Sequence, residues 1–329
     1  MRQIPNILKS LVAGEPLYVK YVKSAAMKTA ITDMINTRHI DLIHFDDQYI
    51  TANFEFDNKS NIKKTVTYHD IDSTKYLRIY KIETNIRKKM MLLLDLFLLK
   101  KWEQALVKKA DLSIVMSHID AKTLKSRAIG ANITVIPNGV DTEIFLFDHG
   151  DNMSNTISFF GNMDYFPNQD AVFYFYQQIL PIIRHKKPEV KFIVVGRNPS
   201  RKLQDLANDP NIIVTGNVDN VIPYYYKSSV AVVPLRAGGG TRLKILEAMA
   251  LGRPVVSTSI GCEGLEVVDG EHLLIADHPE QFAEKTVRLL TDRQLYQHIS
   301  TNGRQLVETR YDWDKIAGRL MEVYAEMLA

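Results

Sequence analysis

The feature that most limits the fold is a repeated change of hydrophobic period. Between residues 40 and 275, short runs rich in β-branched residues alternate with longer stretches whose apolar residues recur at helical spacing: IDLIHF, TVTYHD, LSIVM, ITVIP, ISFFG, KFIVVG, NIIVTG, VAVVP and RPVVSTS. The short runs are apolar almost throughout, as parallel strands covered by helices on both faces must be, so they read as βαβ units. No period of roughly 20 to 50 residues appears, which argues against a solenoid. The expected fold is α/β and doubly wound.

A chain of 329 residues, 46% of them hydrophobic, can fill two cores. The break is expected in NGVDTEIFLFDHGDNMSN (138–155), where Asn, Gly, Asp and Ser interrupt the rhythm before a fresh strand begins. This predicts an N-terminal domain over 1–145, a C-terminal domain over 146–310, and a closing helix at 311–329 packing back on the first. The N-terminal half opens with a helix-like stretch and offers only about four strands, so that domain is expected to be incomplete. Lys plus Arg (41) nearly balance Asp plus Glu (38), which argues against capture of nucleic acid. The one cysteine, Cys262, excludes an internal disulfide and fits a reducing compartment. MRQIPNILKSLVAGEPLYVK lacks the pattern of a secretory signal, and MMLLLDLFLL (90–99) is short for a span and interrupted by Asp95. A cytoplasmic protein is expected.

Chemistry concentrates in VAVVPLRAGGGTRLKILEAMALGRPVVSTS (230–259), which reads as buried strand, glycine-rich turn, helix and buried strand. Gly238, Gly239 and Gly240 remove side chains where the backbone must bend or meet something closely. A helix starting near Thr241 would aim free N–H groups at that turn, a suitable cradle for a diphosphate, with Arg242 and Lys244 adding charge. A tight strand-to-helix connection with solvated basic residues is the plain alternative. Glu247 stands in the apolar run LKILEAMAL, and a buried carboxylate needs donors, either sugar and ribose hydroxyls or structural partners.

This stretch resembles the nucleotide-sugar site of retaining glycosyltransferase family 4, the group 1 glycosyltransferases. FFGNMDYFPNQDAV (159–172), VVGRNPS (194–200), VTGNVDNVIPYYY (214–226) and GCEGLEVVDGEHLLIAD (261–277) support it in order, with HDIDSTKYLR (69–78), ADLSIVMS (110–117) and VIPNGVDTEIF (135–145) in the first half. The small-residue loop is like that of a bacterial polysaccharide sugar-transferase subgroup. The resemblance implies two Rossmann-like domains facing a cleft, the GT-B arrangement. It also implies transfer of a sugar, with retained configuration, from a nucleotide-diphosphate sugar to a glycan or lipid-linked acceptor in cell-surface polysaccharide synthesis. The donor is a substrate, and no cofactor is implied.

By the same resemblance Glu247 would accept from the donor ribose, and the amides of Gly240 and Thr241 would meet its diphosphate or sugar. Gly161 would belong to the turn after the first C-domain strand. Gly196 with Arg197, and Gly216 with Val218, would flank the base. His69 would face the transferred sugar. The family carries a pair of glutamates separated by seven residues; the first position is Gly239 here. Asn162 and Asn168 replace the Arg and Lys that hold the diphosphate in many members, leaving Arg197, Arg242 or Lys244 to supply the charge. His69 reads equally as a strand-end structural residue, Asp70 as a cap of the next helix, and His44, Asp46 and Asp47 as acceptor contacts. No Asp-x-Asp pair is expected to end a strand, and the nine histidines are scattered, so metal independence is expected. Segment 75–109 carries ten Lys or Arg against Glu83, Asp95 and Glu103, a composition suited to peripheral contact with an anionic membrane or simply to a solvated face. Gly239 and the short first domain keep a second reading open, a catalytically impaired nucleotide-sugar-binding partner or scaffold.

Overall fold

The computed structural model describes residues 10, 13–56, 61–148, 153–240 and 242–329. It forms two compact units, the first comprising Met1–Pro137, Gly239–Thr241 and Gly318–Ala329, the second Asn138–Gly238 and Arg242–Ala317.

In the first unit α1 (Ala25–Thr37) precedes β1 (Leu42–Phe45), and β2 (Lys63–Tyr68), β3 (Leu112–Val115) and β4 (Ile133–Val135) follow. All four strands are parallel in the order β1-β2-β3-β4. A sheet growing one way only is one wing of a doubly wound arrangement. Helices α2 (Asp72–Ile82), α3 (Ile86–Lys109) and α4 (His118–Arg127) cover it. Asn85 starts α3 by accepting from the amides of Arg87 and Lys88, and Ser117 starts α4 by accepting from that of Asp120. The core gathers Phe45, Val66, Tyr68, Val115 and Leu124. Glu103 on α3 is fully buried, accepts from the amide and hydroxyl of Ser73, and pairs with Arg127, so one carboxylate ties three helices together. Burial pushes Glu103 above the usual carboxylate range, against the pull of Arg127 and Ser73.

The second unit holds β5 (Thr156–Phe160), β6 (Lys191–Val195), β7 (Ile212–Val214), β8 (Val230–Val233), β9 (Val255–Ser257) and β10 (Leu274–Ile275). They form a parallel sheet ordered β10-β9-β8-β5-β6-β7. The chain winds outward from β5 to β7, then returns to β5's other side at β8, so the connections from β5 and β8 leave the sheet on opposite faces. The crevice between them is where open α/β sheets receive ligands. Around the sheet lie α5 (Phe166–Tyr174), α6 (Ile222–Lys227), α7 (Leu243–Ala250), α8 (Pro279–Thr291), α9 (Arg293–Leu306) and the start of α10 (Trp313–Leu328). Phe159, Phe175, Phe192 and Phe282 are fully buried in the core; truncating one to Ala would cost about 3–5 kcal/mol.

Candidate functional site

At the sheet reversal of the second unit, the turn after β5 meets the first turns of α7. Ile245, Leu246, Ala248 and Met249 bury one face of α7, leaving Lys244 and Glu247, three residues apart, on its less buried face. Lys244 Nζ donates to Asn168 Oδ1 at 2.8 Å and lies 4.3 Å from the centroid of the Phe159 ring. Asn168 Nδ2 in turn donates to the carbonyl of Asn162 at 2.8 Å. The Asn at 168 therefore draws the α7 lysine across the crevice. Burial lowers Lys244 to about 7, Arg242 adds repulsion, and Glu247 pulls the other way.

Glu247 Oε2 accepts from Tyr225 Oη at 2.9 Å. Tyr225 is fully buried and stacks on Phe160 with ring centroids 3.5 Å apart. The carboxylate is thus aimed by a fully buried, stacked side chain. Burial raises Glu247 above its ordinary range, with Tyr225 and Lys244 opposing the shift. The run PYYY (223–226) does not single out Tyr225, because three consecutive tyrosines carry no periodicity that marks the inward one.

The glycines differ in what they do. A Cβ at Gly161 would stand 2.9 Å from Lys244 Nζ, so this position keeps the lysine's place open. A Cβ at Gly196 would overlap the Gly161 carbonyl oxygen, so Gly196 lets the turns after β5 and β6 touch. Gly216 has open space but φ of 69°, a turn requirement. Val218 is half-buried against the core, and Arg197 is exposed, its carbonyl accepting from the Met163 amide. Arg242 is buried with its guanidinium beside Gly238, 3.1 Å from where a Cβ there would be. Of Arg197, Arg242 and Lys244, Lys244 is the one placed at the turn after β5. Thr241 lies outside the described residues.

In the first unit, His69 Nε2 lies 2.6 Å from the Asp46 carbonyl and 3.5 Å from its carboxylate. His44 meets Thr67 Oγ1 at 3.1 Å through Nε2 and Tyr324 Oη through Nδ1. Burial pushes His44 below its usual range against the pull of Asp46. Asp47 accepts from the Tyr49 amide at the rim of a cavity of about 250 Å³, which His69, Asp70, Gln48, Tyr49 and Lys75 also line. Asp70 does not cap α2: Ile71 is the cap residue, and Asp70 Oδ2 accepts from Lys75 Nζ at 2.9 Å. Against the expectation that no Asp-x-Asp pair ends a strand, Asp70-Ile71-Asp72 stands just beyond β2. Lys75 pairs with both carboxylates, and Asp72 also accepts from Gln48 and Tyr49. Although burial opposes its charge most strongly, the two carboxylates hold Lys75 above its ordinary range. Among the described residues, no group of three or more His, Cys, Asp or Glu has the arrangement of a metal site.

Gly239 and Gly240 pack with this unit. A Cβ at Gly239 would stand 2.7 Å from Asp70 Oδ1; one at Gly240 would stand 2.5 Å from that oxygen and 2.7 Å from the His69 carbonyl. Asp70 Oδ1 is buried and accepts no hydrogen bond. A carboxylate from the β2 end therefore stands beside the position that lacks the first glutamate.

Residues 154–292 match the family model of glycosyl transferases group 1, and residues 8–144 match that of glycosyltransferase family 4. A 44.6 kDa protein of the cps region of Klebsiella pneumoniae is 21% identical over 92% of this chain and 77% of its own length. The phosphatidyl-myo-inositol mannosyltransferase of Mycolicibacterium smegmatis is 28% identical over 62% of this chain, and the match spans about half, 54%, of that relative. The fold is shared with Anabaena HepE, solved in complex with UDP, at a TM-score of 0.70 and 15% identity over 95% of this chain and 85% of that one.

Proposed function

Since the chain belongs to the group 1 glycosyltransferases, with a family 4 domain in its first half, we propose that it transfers a sugar from a nucleotide-diphosphate sugar to a glycan or lipid-linked acceptor, with retention. The observation that carries this reading is the Lys244–Asn168 bridge across the crevice at the sheet reversal, beside a glutamate locked by Tyr225. A diphosphate seated on the turn after β5 would take Lys244 from Asn168. Glu247, with a free oxygen beside the one that Tyr225 engages, would accept from the ribose. Gly216 and Val218 would border the base, Arg197 and Arg242 would add positive potential, and the Gly240 amide would donate to a phosphate or sugar oxygen.

In this reading the bond from the anomeric carbon to the phosphate oxygen breaks while the acceptor oxygen attacks from the same face. The acceptor proton passes to the departing phosphate. Lys244 and the backbone amides stabilise the charge that grows on the diphosphate. Lys244 supplies the charge that a divalent cation supplies elsewhere, and Lys75 already engages both carboxylates of the Asp70–Asp72 pair, so in this reading the reaction proceeds without metal.

Calorimetric titration with UDP, GDP and ADP tests the donor site. One nucleotide should bind, and Lys244→Ala and Glu247→Ala should each weaken it by about tenfold or more, the scale of a lost charge-assisted hydrogen bond. Binding to none by a folded chain would sink the reading. The anomeric configuration of the product, and turnover in the presence of a chelator, decide retention and metal independence. Gly239 favours a second reading, a protein that binds donor without transferring sugar; binding without turnover on any glycan or lipid-linked acceptor would select it.

A further inference from the structure

Helix α3 is apolar on two opposite sides. Its inward side buries Leu96, Leu98, Leu99, Leu106 and Val107 in the first unit. Its outward side presents Ile86, Met90, Leu93 and Phe97, respectively 70%, 61%, 40% and 55% exposed. Their spacings of four, three and four residues place them within an arc of about 60° on a helix of 3.6 residues per turn. Scattered exposed apolar residues are ordinary, but a four-residue stripe two helical turns and more in length is a surface.

The charges around this stripe are one-sided. On the same wheel Lys89 and Lys100 flank it on one edge, Lys101 and Arg87 on the other. Lys101 Nζ lies 4.4 Å from the Phe97 ring centroid, and Lys89 Nζ lies 5.2 Å from that of Tyr80. The acids of α3 point away: Asp95 is buried and accepts from the Leu17 amide, and Glu103 is committed to Ser73 and Arg127. Glu83, just before the helix, is occupied by the amides of Thr84 and Asn85.

We propose that this face docks on an anionic lipid bilayer, with Ile86, Met90, Leu93 and Phe97 entering the boundary between headgroups and acyl chains. The lysines on both edges would lie at headgroup level with their stems along the apolar surface. Charge complementarity selects this occupant: a second copy of the same face would bring lysines against lysines, whereas anionic headgroups satisfy both edges at once. No helix among the described residues is long and apolar enough to cross a membrane; α3 would lie in the plane of the interface. The inference stands independently of the sugar-transfer reading, though it would hold the enzyme at the surface where a lipid-linked acceptor resides.

The test is flotation of the full chain with vesicles of phosphatidylcholine alone or mixed with phosphatidylglycerol. Binding is expected only to the mixed vesicles. Met90→Ser with Phe97→Ser should abolish it. Lys100→Glu with Lys101→Glu should weaken it by about tenfold or more, since each lysine near an anionic surface contributes a factor of about five. These side chains are exposed, and unchanged circular dichroism confirms folding of each variant. A Phe97→Trp variant provides a second measurement: its emission should shift to the blue on mixed vesicles and be quenched by brominated acyl chains. No flotation and no shift would overturn the proposal. So would binding that ignores the apolar substitutions, which would mean charge alone, or self-association that Met90→Ser with Phe97→Ser abolishes while vesicle binding is absent, which would make the face an interface between copies.

Discussion

Lys244 offers the sharpest test of the donor site because burial places its ionisation at about 7. In the free protein roughly half of the molecules carry the charge at that pH, and at pH 8 only about one in ten does. A bound diphosphate favours the ammonium, so the lysine titrates at higher pH in the complex than in the free protein. Binding strength is then fully present below pH 7 and falls as pH rises, by up to tenfold, about 1.4 kcal/mol, per unit, until the lysine deprotonates in the complex too. The assay is calorimetric titration with the intact nucleotide sugar, whose phosphates do not titrate in this window, in two buffers of different ionisation heat. Proton uptake should be about 0.9 per site at pH 8 and about 0.1 at pH 6. In Lys244→Met the affinity should be lower at pH 6 and the uptake absent. Affinity constant from pH 6 to 9 with no proton uptake, or an unchanged profile in Lys244→Met, would refute the placement of Lys244 against the diphosphate.

Tyr225→Phe removes the hydroxyl that aims Glu247, so donor affinity should fall by several-fold at a stability cost of about 1 kcal/mol, and the loss should shrink for a 2′-deoxyribose donor. Gly196→Ala drives a methyl into the Gly161 carbonyl and should destabilise the second unit by about 1–3 kcal/mol in urea unfolding, more than Gly216→Ala, which meets open space but must hold a positive φ. Arg127→Met leaves Glu103 buried without its cation and should cost about 3–5 kcal/mol. Because Glu103 titrates above its unfolded value, the folded state binds the extra proton; stability from this group is fullest below the unfolded pKa and falls as pH rises, so the variant should be weaker at pH 8 than at pH 5 in thermal melts.

Much of this protein is written locally. A βαβ unit announces itself because strand and helix impose different periods, and a parallel strand buried on both faces has no polar side to confuse it; the runs TVTY, ISFF, FIVV and VAVV all fall within strands. The glycine-rich turn and the Lys244–Glu247 spacing were legible for the same reason, since three residues on a helix fix which side chains share a face. What the sequence could not fix was partnership. That Lys244 reaches Asn168, 76 residues earlier, depends on β8 lying beside β5, a pairing chosen by the whole sheet's packing. Nothing near Asp70 foretold that it would pair with Lys75 rather than cap α2, because both arrangements satisfy a carboxylate and only the surrounding burial separates them. Likewise 75–109 showed basic and apolar residues in plenty, but which of them face outward was settled by the core, which claimed Leu96, Leu98 and Leu99 and left Met90, Leu93 and Phe97 to the surface. Period is a property of neighbours in the chain, whereas burial and the ionisation it shifts belong to neighbours in space.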